Sequence, residues 1–246
     1  HYVLNGTKRY ITNAPFASIG LIMARTHAEN LPRNQHISAF LIDMKAPGVS
    51  VGSSDAKMGQ KGSHIADIVL EDVRVPVASL LGGEEGKGFF AAMQALDSGR
   101  LSVGAASLGL AERALASALR YAHERKAFGT AIAEFQLIQA MLADSRAEIY
   151  AAECMMHDAC RRADAGENVL RKAAAAKVFA TEMCGRVVDR VVQIYGGAGY
   201  LAEYDAERFF RDARILRIYE GTTQIMQLQV AKHMLREFAT EGSVWS

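Results

Sequence analysis

The sequence contains few residues of the kinds that mark secreted, membrane-bound or nucleic-acid-binding proteins. Its 246 residues include only four prolines, three cysteines and one tryptophan. The apolar runs, such as IGLIMA, are far shorter than the roughly 20 residues that a membrane-spanning helix needs. The 28 Lys and Arg residues are balanced by 27 Asp and Glu residues, so the net charge is +1. Because the chain has no excess of positive charge, we expect the protein neither to bind nucleic acid nor to insert into a membrane.

The cysteines and the first residues indicate a reducing compartment. Cys154, Cys160 and Cys184 form no spacing motif, and an odd number favours reduced thiols. The opening HYVLNGTKRY has neither the charged start nor the long apolar core of a signal peptide. We therefore expect the bacterial cytoplasm or the mitochondrial matrix. The chain also begins inside a strand-like segment, which suggests that a further segment precedes it.

The first third of the chain has the pattern of an antiparallel β domain. It holds all four prolines and short β-favouring runs such as KRYIT, IGLIMAR, ISAFLID and ADIVLEDVRV. Asn5 and Gly6 stand between HYVL and KRYIT and predict a two-residue hairpin turn, because both residues tolerate positive φ. Regular strands with turns between them predict a sandwich or barrel over residues 1–83.

The remainder of the chain, residues 84–246, has a helical pattern. Apolar residues recur there at helical spacing, with breaks at KAFGTAIAEFQ, ADAGEN and YGGAGY. Helices are expected around 101–122, 138–156, 176–194, 206–216 and 222–238. Short connections between them favour an up-down four-helix bundle. The predicted fold class is thus α+β, mostly α, with a small antiparallel β domain followed by the bundle.

Single motifs have ordinary explanations when each is taken alone. Glu220 in IYEGTT is the kind of acid that is often exposed beside a helix N-terminus. QIYGGAGY is typical of a helix that ends in a glycine cap. GEEGKG lacks the Gly-Lys-Ser/Thr ending of a phosphate loop, so a nucleoside triphosphate site is rejected. None of the seven histidines has a partner at metal-ligand spacing, and we expect no metal.

The order of the motifs along the chain changes this interpretation. KRYITN, DAKMGQKGS, VRVPVASLLGGEEGKGF, ALDSGR, ERKAFGTAIAEFQLIQAMLAD, VVQIYGGAGY and RDARILRIYEGTTQIMQ occur in this sequence in that order. Together they resemble the acyl-CoA dehydrogenase family along essentially the whole chain. The resemblance implies the later part of a middle β domain and a complete C-terminal bundle. It also implies that the family's N-terminal helical domain and an early β segment are absent.

The resemblance implies a reaction and a base. Members of the family oxidise an acyl-CoA thioester to the trans-2-enoyl-CoA, with removal of the α proton by a carboxylate and transfer of hydride to flavin N5. By similarity, the base in this sequence is Glu220, in the place of the family's YEGT glutamate. Some members carry the base at the position of Gly99, which has no side chain to act. Glu220 is therefore the candidate catalytic residue.

The same resemblance implies the residues that contact FAD and substrate. Tyr10 and Thr12 look like residues beside the isoalloxazine, and Thr222 and Gln224 follow the base at a helix N-terminus, where free N–H groups suit phosphate. Two further segments are expected to reach the FAD of a neighbouring subunit. Their residues are Arg125, Phe128 and Gln136 in the first and Gln193, Gly196 and Gly197 in the second. Asp97, Arg100, Gly221 and Lys232 are the expected substrate contacts.

Three hypotheses remain open at this point. The first is a dehydrogenase that binds FAD, forms a homotetramer or a homodimer, and passes electrons to an electron-transferring flavoprotein. The second keeps the fold but passes the electrons to oxygen, as acyl-CoA oxidases do. The third is a catalytically inactive oligomerisation module that lacks the first domain, in which Glu220 would be a solvated acid. Acyl chain length and branching preference are not predicted.

Overall fold

The computed structural model describes residues 1–26, 32 and 35–243, and it confirms an α+β chain that is mostly α. The chain divides into two compact units, His1–Ala95 and Leu96–Ser246. This division lies inside a helix, so the domain assignment at residues 83 and 84 stays a prediction. The elements are β1 (Tyr2–Thr12), β2 (Ile19–Arg25), β3 (Ile37–Asp43), β4 (Val49–Val51), β5 (Ile65–Val75), α1 (Gly88–Glu124), β6 (Lys126–Ala127), β7 (Thr130–Ala131), α2 (Gln136–Asp164), α3 (Leu170–Tyr195), α4 (Asp205–Ala213) and α5 (Thr223–Glu241).

The first unit is built from antiparallel strands, as the alternating sequence pattern predicts. β5 lies between β1 and β4 in one sheet, and β2 pairs with β3 in another. In β5 the side chains of Ala66, Ile68 and Leu70 are buried at every second position, which is the period of a strand with one buried face. Phe40 of β3 is fully buried, and its ring meets that of Tyr2 edge-on with centroids 4.9 Å apart.

The predicted hairpin at Asn5 and Gly6 is wrong. Residues 2–12 form one strand, β1, which pairs with β5 along its length. The register shifts between Leu4 and Gly6, where Asp72 of β5 takes a φ of 50°. The Asn5 side chain provides the hydrogen bonds at this irregularity. Its Nδ2 donates to Asp72 Oδ1 at 3.0 Å, and its Oδ1 accepts from the Asp72 backbone N–H at 2.8 Å. The Asn-Gly pair thus lies opposite a β-bulge, not in a turn.

The second unit is a helical bundle in which α3 packs against α2, α4 and α5. Its core also includes buried residues of α1, among them Ala114 and Ala118. Glu148 of α2 accepts hydrogen bonds from Arg186 Nε at 2.9 Å and Arg190 Nη2 at 2.8 Å, both on α3. The helix predictions are confirmed, although α1 begins earlier and α4 ends earlier than the sequence pattern indicates.

The three cysteines are free thiols in different environments. Cys154 is exposed, Cys160 is half-buried and Cys184 is buried in the core of the bundle. Burial raises the pKa of the Cys184 thiol to about 12, although the charge of Arg217 opposes this shift. Cys184 is therefore a neutral core residue, which agrees with the expectation of reduced thiols.

Candidate active site

Glu220 lies in a tight turn between α4 and α5, and this turn is held in an unusual backbone conformation. Glu220 has a φ of 52° and Gly221 has a φ of 93°. Positive φ is costly for a residue with a side chain, by about 1–3 kcal/mol, and such residues cluster at functional sites. Thr222 ends the turn as the N-cap of α5, where its hydroxyl accepts a 3.3 Å hydrogen bond from the Ile225 N–H. The positive φ of Glu220 therefore points its side chain in a direction that ordinary backbone angles at the start of a helix would not give.

The Glu220 carboxylate points into the bundle and lies against Gly99 of α1. A Cβ atom on Gly99 would stand 2.5 Å from Oε2 and 3.0 Å from Cδ of Glu220. A side chain at position 99 would displace the carboxylate from this place, and glycine leaves room for it. Positions 99 and 220, which the family resemblance implies as alternative places of the base, thus lie next to each other in this chain.

One oxygen of this carboxylate has no hydrogen-bond partner within the described ranges. Oε2 of Glu220 is buried and accepts no hydrogen bond. Buried polar atoms are nearly always hydrogen-bonded in native proteins, because leaving one unsatisfied costs about 1–3 kcal/mol. An orphaned oxygen at the end of a strained turn is the strongest sign of function in the second unit.

A buried lysine holds the backbone of the same turn. Lys177 of α3 is fully buried, and its ammonium donates a 2.6 Å hydrogen bond to the Gly221 carbonyl. Burial lowers the pKa of Lys177; the nearby charge of Glu220 opposes this shift, that of Arg100 adds to it and that of Glu182 opposes it. The ammonium thus lies in a cluster of mixed charge beside the carboxylate.

Glu182, one turn further along α3, fastens both ends of the turn. Its Oε1 accepts from the Thr223 hydroxyl at 2.7 Å, and its Oε2 accepts from Arg217 Nη1 at 3.2 Å. The segment from Arg217 to Thr223 is therefore tied to α3 at three points, of which Lys177 provides the middle one.

Of the expected substrate contacts, the structure brings only some close to Glu220. Arg100 is buried next to Gly99 and forms an ion pair with Asp97, while its Nε has no hydrogen-bond partner in the described part of the chain. Gly221 belongs to the turn itself. Lys232 lies on α5 with an exposed side chain.

The expected FAD contacts of the second unit lie on exposed ends of elements. Arg125 follows α1, and Phe128 projects from the hairpin of β6 and β7 with a φ of 52° and its side chain 99% exposed. Gln136 opens α2 and Gln193 lies near the end of α3, both with exposed side chains. The remaining members of this exposed set are Gly196, Gly197 and Gln224.

Tyr10 and Thr12 belong to the first unit, at the end of β1. A second β-bulge occurs here, where Tyr10 takes a φ of 58° and its N–H donates to Asp67 Oδ1 at 3.1 Å. The Tyr10 side chain is 63% exposed, with the Arg9 guanidinium 4.9 Å from its ring centroid. Thr12 lines a cavity of about 300 Å³ whose other walls are mostly apolar.

The comparisons with known proteins identify the family of this chain. Residues 86–235 match the family model described as "Acyl-CoA dehydrogenase, C-terminal domain", and residues 1–73 match "Acyl-CoA dehydrogenase, middle domain". The chain belongs to the acyl-CoA dehydrogenase family. The family resemblance that the motif order predicts is therefore confirmed.

Several acyl-CoA dehydrogenase relatives match nearly the whole chain. The caffeyl-CoA reductase-Etf complex subunit CarC of Acetobacterium woodii is 43% identical over 237 residues, which cover 96% of this chain and 62% of the relative. The human mitochondrial short-chain specific acyl-CoA dehydrogenase is 42% identical over 237 residues, which cover 96% of this chain and 57% of the relative. The butyryl-CoA dehydrogenase structure from Megasphaera elsdenii has a TM-score of 0.91 at 40% identity, covering 96% of this chain and 61% of that chain. The chain therefore spans about three fifths of the length of these relatives.

Two residues that hold the turn of Glu220, Lys177 and Glu182, are not among those that the sequence suggests. A signal was present, because each is a charged residue within the apolar pattern of a helix that is otherwise rich in alanine and valine.

In the described ranges, no three His, Cys, Asp or Glu side chains are grouped as a metal site, and no helix is long and apolar enough to cross a membrane. His27 lies outside the described residues.

Proposed function

We propose that this chain carries the catalytic base and part of the FAD site of an acyl-CoA dehydrogenase, which converts an acyl-CoA thioester to its trans-2-enoyl-CoA. The observation that carries the proposal is the buried, unpartnered Oε2 of Glu220 beside Gly99. A base needs a lone pair that no protein donor occupies and that the substrate proton can reach. Oε2 of Glu220 meets the first requirement, and its access to the substrate proton is part of the proposal.

The chemistry assigned to Glu220 is removal of the α proton. The α C–H bond breaks and its proton moves to the carboxylate, while the β hydrogen leaves with its electron pair, so that a C=C bond forms. FAD, when bound, supplies the acceptor of that hydride at flavin N5 and is reduced as the thioester is oxidised. Burial of the carboxylate keeps water from competing for the proton.

The exposed residues of the second unit fit a flavin dinucleotide. Arg125 supplies a guanidinium for phosphate, and Gln136 and Gln193 supply amides that donate and accept hydrogen bonds. A Cβ atom on Gly196 or Gly197 would meet no atom within 4 Å, so backbone there is open to a phosphate. Phe128, almost wholly exposed, offers an apolar face. Because these side chains point outward, we propose that they serve the FAD of a neighbouring subunit in a homotetramer, with a homodimer second.

The proposed substrate class is an acyl-CoA thioester, and the proposed electron acceptor is an electron-transferring flavoprotein. The relatives support both assignments, since they include a short-chain specific acyl-CoA dehydrogenase and a subunit of a caffeyl-CoA reductase-Etf complex. Thr12, Thr222 and Gln224 are proposed as further cofactor contacts, beside Tyr10. The proposed compartment is the bacterial cytoplasm or the mitochondrial matrix, and one relative is mitochondrial.

Glu220→Gln tests the base directly in the FAD-loaded protein. The amide keeps the shape of the side chain but cannot accept the proton, so we expect bleaching of the flavin absorbance by acyl-CoA to slow by about 10²–10⁴-fold, the usual contribution of a general base. FAD content should not change. Glu203→Gln, at an exposed glutamate of the same unit, is the control and should bleach at the normal rate. Normal bleaching in the Glu220 variant would remove this residue from the mechanism.

A further inference from the structure

We propose that Lys177 is a positioning residue for this reaction, because its ammonium anchors the turn that aims the Glu220 carboxylate. This inference rests on the proposed role of Glu220 as the base. Lys177 does not touch the reacting atoms. It acts through the Gly221 carbonyl, which directly follows the base in the chain and accepts its 2.6 Å hydrogen bond.

The position of Lys177 is difficult to explain by packing alone. Its neighbours on the buried face of α3 include Ala173, Ala176 and Ala180, all essentially inaccessible to solvent. A methionine would fill the same length of space without the cost of removing an ammonium from water. The charge is nevertheless retained next to Arg100, a second buried cation whose field disfavours it. A buried cation in such a place indicates a specific task.

That task follows from the backbone angles on either side of the hydrogen bond. Glu220 and Gly221 both have positive φ, and the carbonyl held by Lys177 belongs to the second of them. Glu182 fastens the two ends of the turn, but it does not contact the peptide between Gly221 and Thr222, whose carbonyl Lys177 holds. Without the ammonium, this peptide can relax, and the carboxylate would then leave the place beside Gly99.

The charged groups around the Glu220 carboxylate are of both signs. The cations that face this group are Lys177 from α3 and Arg100 from α1, and the other anion in contact with the turn is Glu182. Lys177 therefore contributes both the anchor and part of the positive field. Arg100 is already paired with Asp97, so the ammonium is the less neutralised of the two cations.

Lys177→Met in the FAD-loaded protein is the primary test. A misaimed base slows the chemical step while substrate binding is unaffected, so we expect kcat to fall by about 10²-fold, as misplacement by an ångström can cost, with KM little changed. Amide hydrogen exchange of residues 218–223, measured without FAD, should become at least about tenfold faster because the anchor is lost. Lys172→Met removes a half-exposed cation of the same helix and should change neither quantity.

Two results would overturn the proposal. One is a Lys177→Met protein with normal kcat and normal exchange of the turn, since Lys177 would then only fill space. The other is a rise in KM with normal kcat, which would make the residue a contributor to substrate binding. If Lys177→Met does not fold, Lys177→Gln, which is smaller and uncharged, is measured by the same criteria.

The outcome can be separated from a failure of the proposed function. If Glu220→Gln reduces flavin normally, the base assignment fails, whatever Lys177 does. If Glu220→Gln is inactive and Lys177→Met is normal, only the positioning role fails. Exchange of the turn amides in the protein without FAD reports on the anchor independently of catalysis.

Discussion

The two units of this chain build their cores from different side chains. The first unit fills the space between its strands with large side chains, including Phe40, Ile22 and Leu70. The second unit buries many alanines beside its large side chains, and alanines of α1, α2 and α3 are completely inaccessible at positions such as 114, 118, 152 and 180. Helices that approach closely leave room for little more than a methyl group, whereas facing sheets stand about 10 Å apart and need long side chains between them.

This difference predicts opposite weaknesses. A core of large side chains is weakened most by truncation, because the surrounding strands cannot collapse into the space that is left. A core of alanines is weakened most by added volume, because the helices would have to move apart. The site near Glu220 follows the second pattern, since Gly99 leaves room for the carboxylate where a side chain would displace it.

The largest effect should come from truncating the first unit's core. Phe40→Ala removes the fully buried ring that contacts Tyr2, and we expect a loss of about 3–5 kcal/mol in the free energy of unfolding. Amide hydrogen exchange resolves the strands from the helices and would show the loss in β1, β3 and β5. Leu41→Ala, at the half-exposed neighbouring position, is the control and should lose much less. Equal losses in the two variants would contradict the assignment of Phe40 to the core.

A smaller effect is expected from added volume in the second unit. Ala114→Leu on α1 places three extra carbons where no space is accessible, at a cost of about 1–3 kcal/mol. Chemical denaturation followed by far-ultraviolet circular dichroism measures this loss, since it monitors the helices. Ala116→Leu, two residues away and exposed, should leave the midpoint nearly unchanged. If Ala114→Leu were neutral, the close packing of the bundle would be in doubt.

The smallest effect on stability should come from an exposed residue of the proposed cofactor surface. Arg125→Ala should change the free energy of unfolding by less than about 0.5 kcal/mol, as surface substitutions usually do. FAD retention in the assembled protein should nevertheless fall, because the guanidinium is proposed to reach a neighbour's cofactor. Equilibrium dialysis measures the FAD that stays bound. Arg120→Ala, an exposed arginine on α1, is the matched control, and equal FAD occupancy in the two variants would reject the cross-subunit contact.

Parts of the structure that depend on local periodicity could be predicted from the sequence. ISAFLID alternates, and it forms β3. The apolar residues of 138–156 and 176–194 recur at helical spacing, and they lie within α2 and α3. Glu220 was identified from the family resemblance of YEGT, because its own surroundings in the sequence are those of an ordinary acid beside a helix start.

Parts that depend on a distant partner could not be predicted in this way. Asn5 and Gly6 have the residue types of a hairpin turn, yet a bulge in β5, more than 60 residues away, decides their conformation. Lys177 stands within the apolar pattern of its helix, but its partner is known only when Gly221, 44 residues later, is placed against its ammonium. Local residue preferences are weak, and tertiary contacts override them when a long-range partner supplies the hydrogen bond.

The sequence by itself determined which segments are strands and helices, which faces they bury and to which family the chain belongs, because these features follow from periodicity and motif order. Only the tertiary structure decided that the Glu220 carboxylate meets Gly99, that its Oε2 has no partner and that Lys177 holds the turn. The physical reason is that burial and hydrogen bonding of a charged group depend on atoms from α1, α3 and the turn before α5. These atoms are far apart in the chain and come together only when the bundle closes.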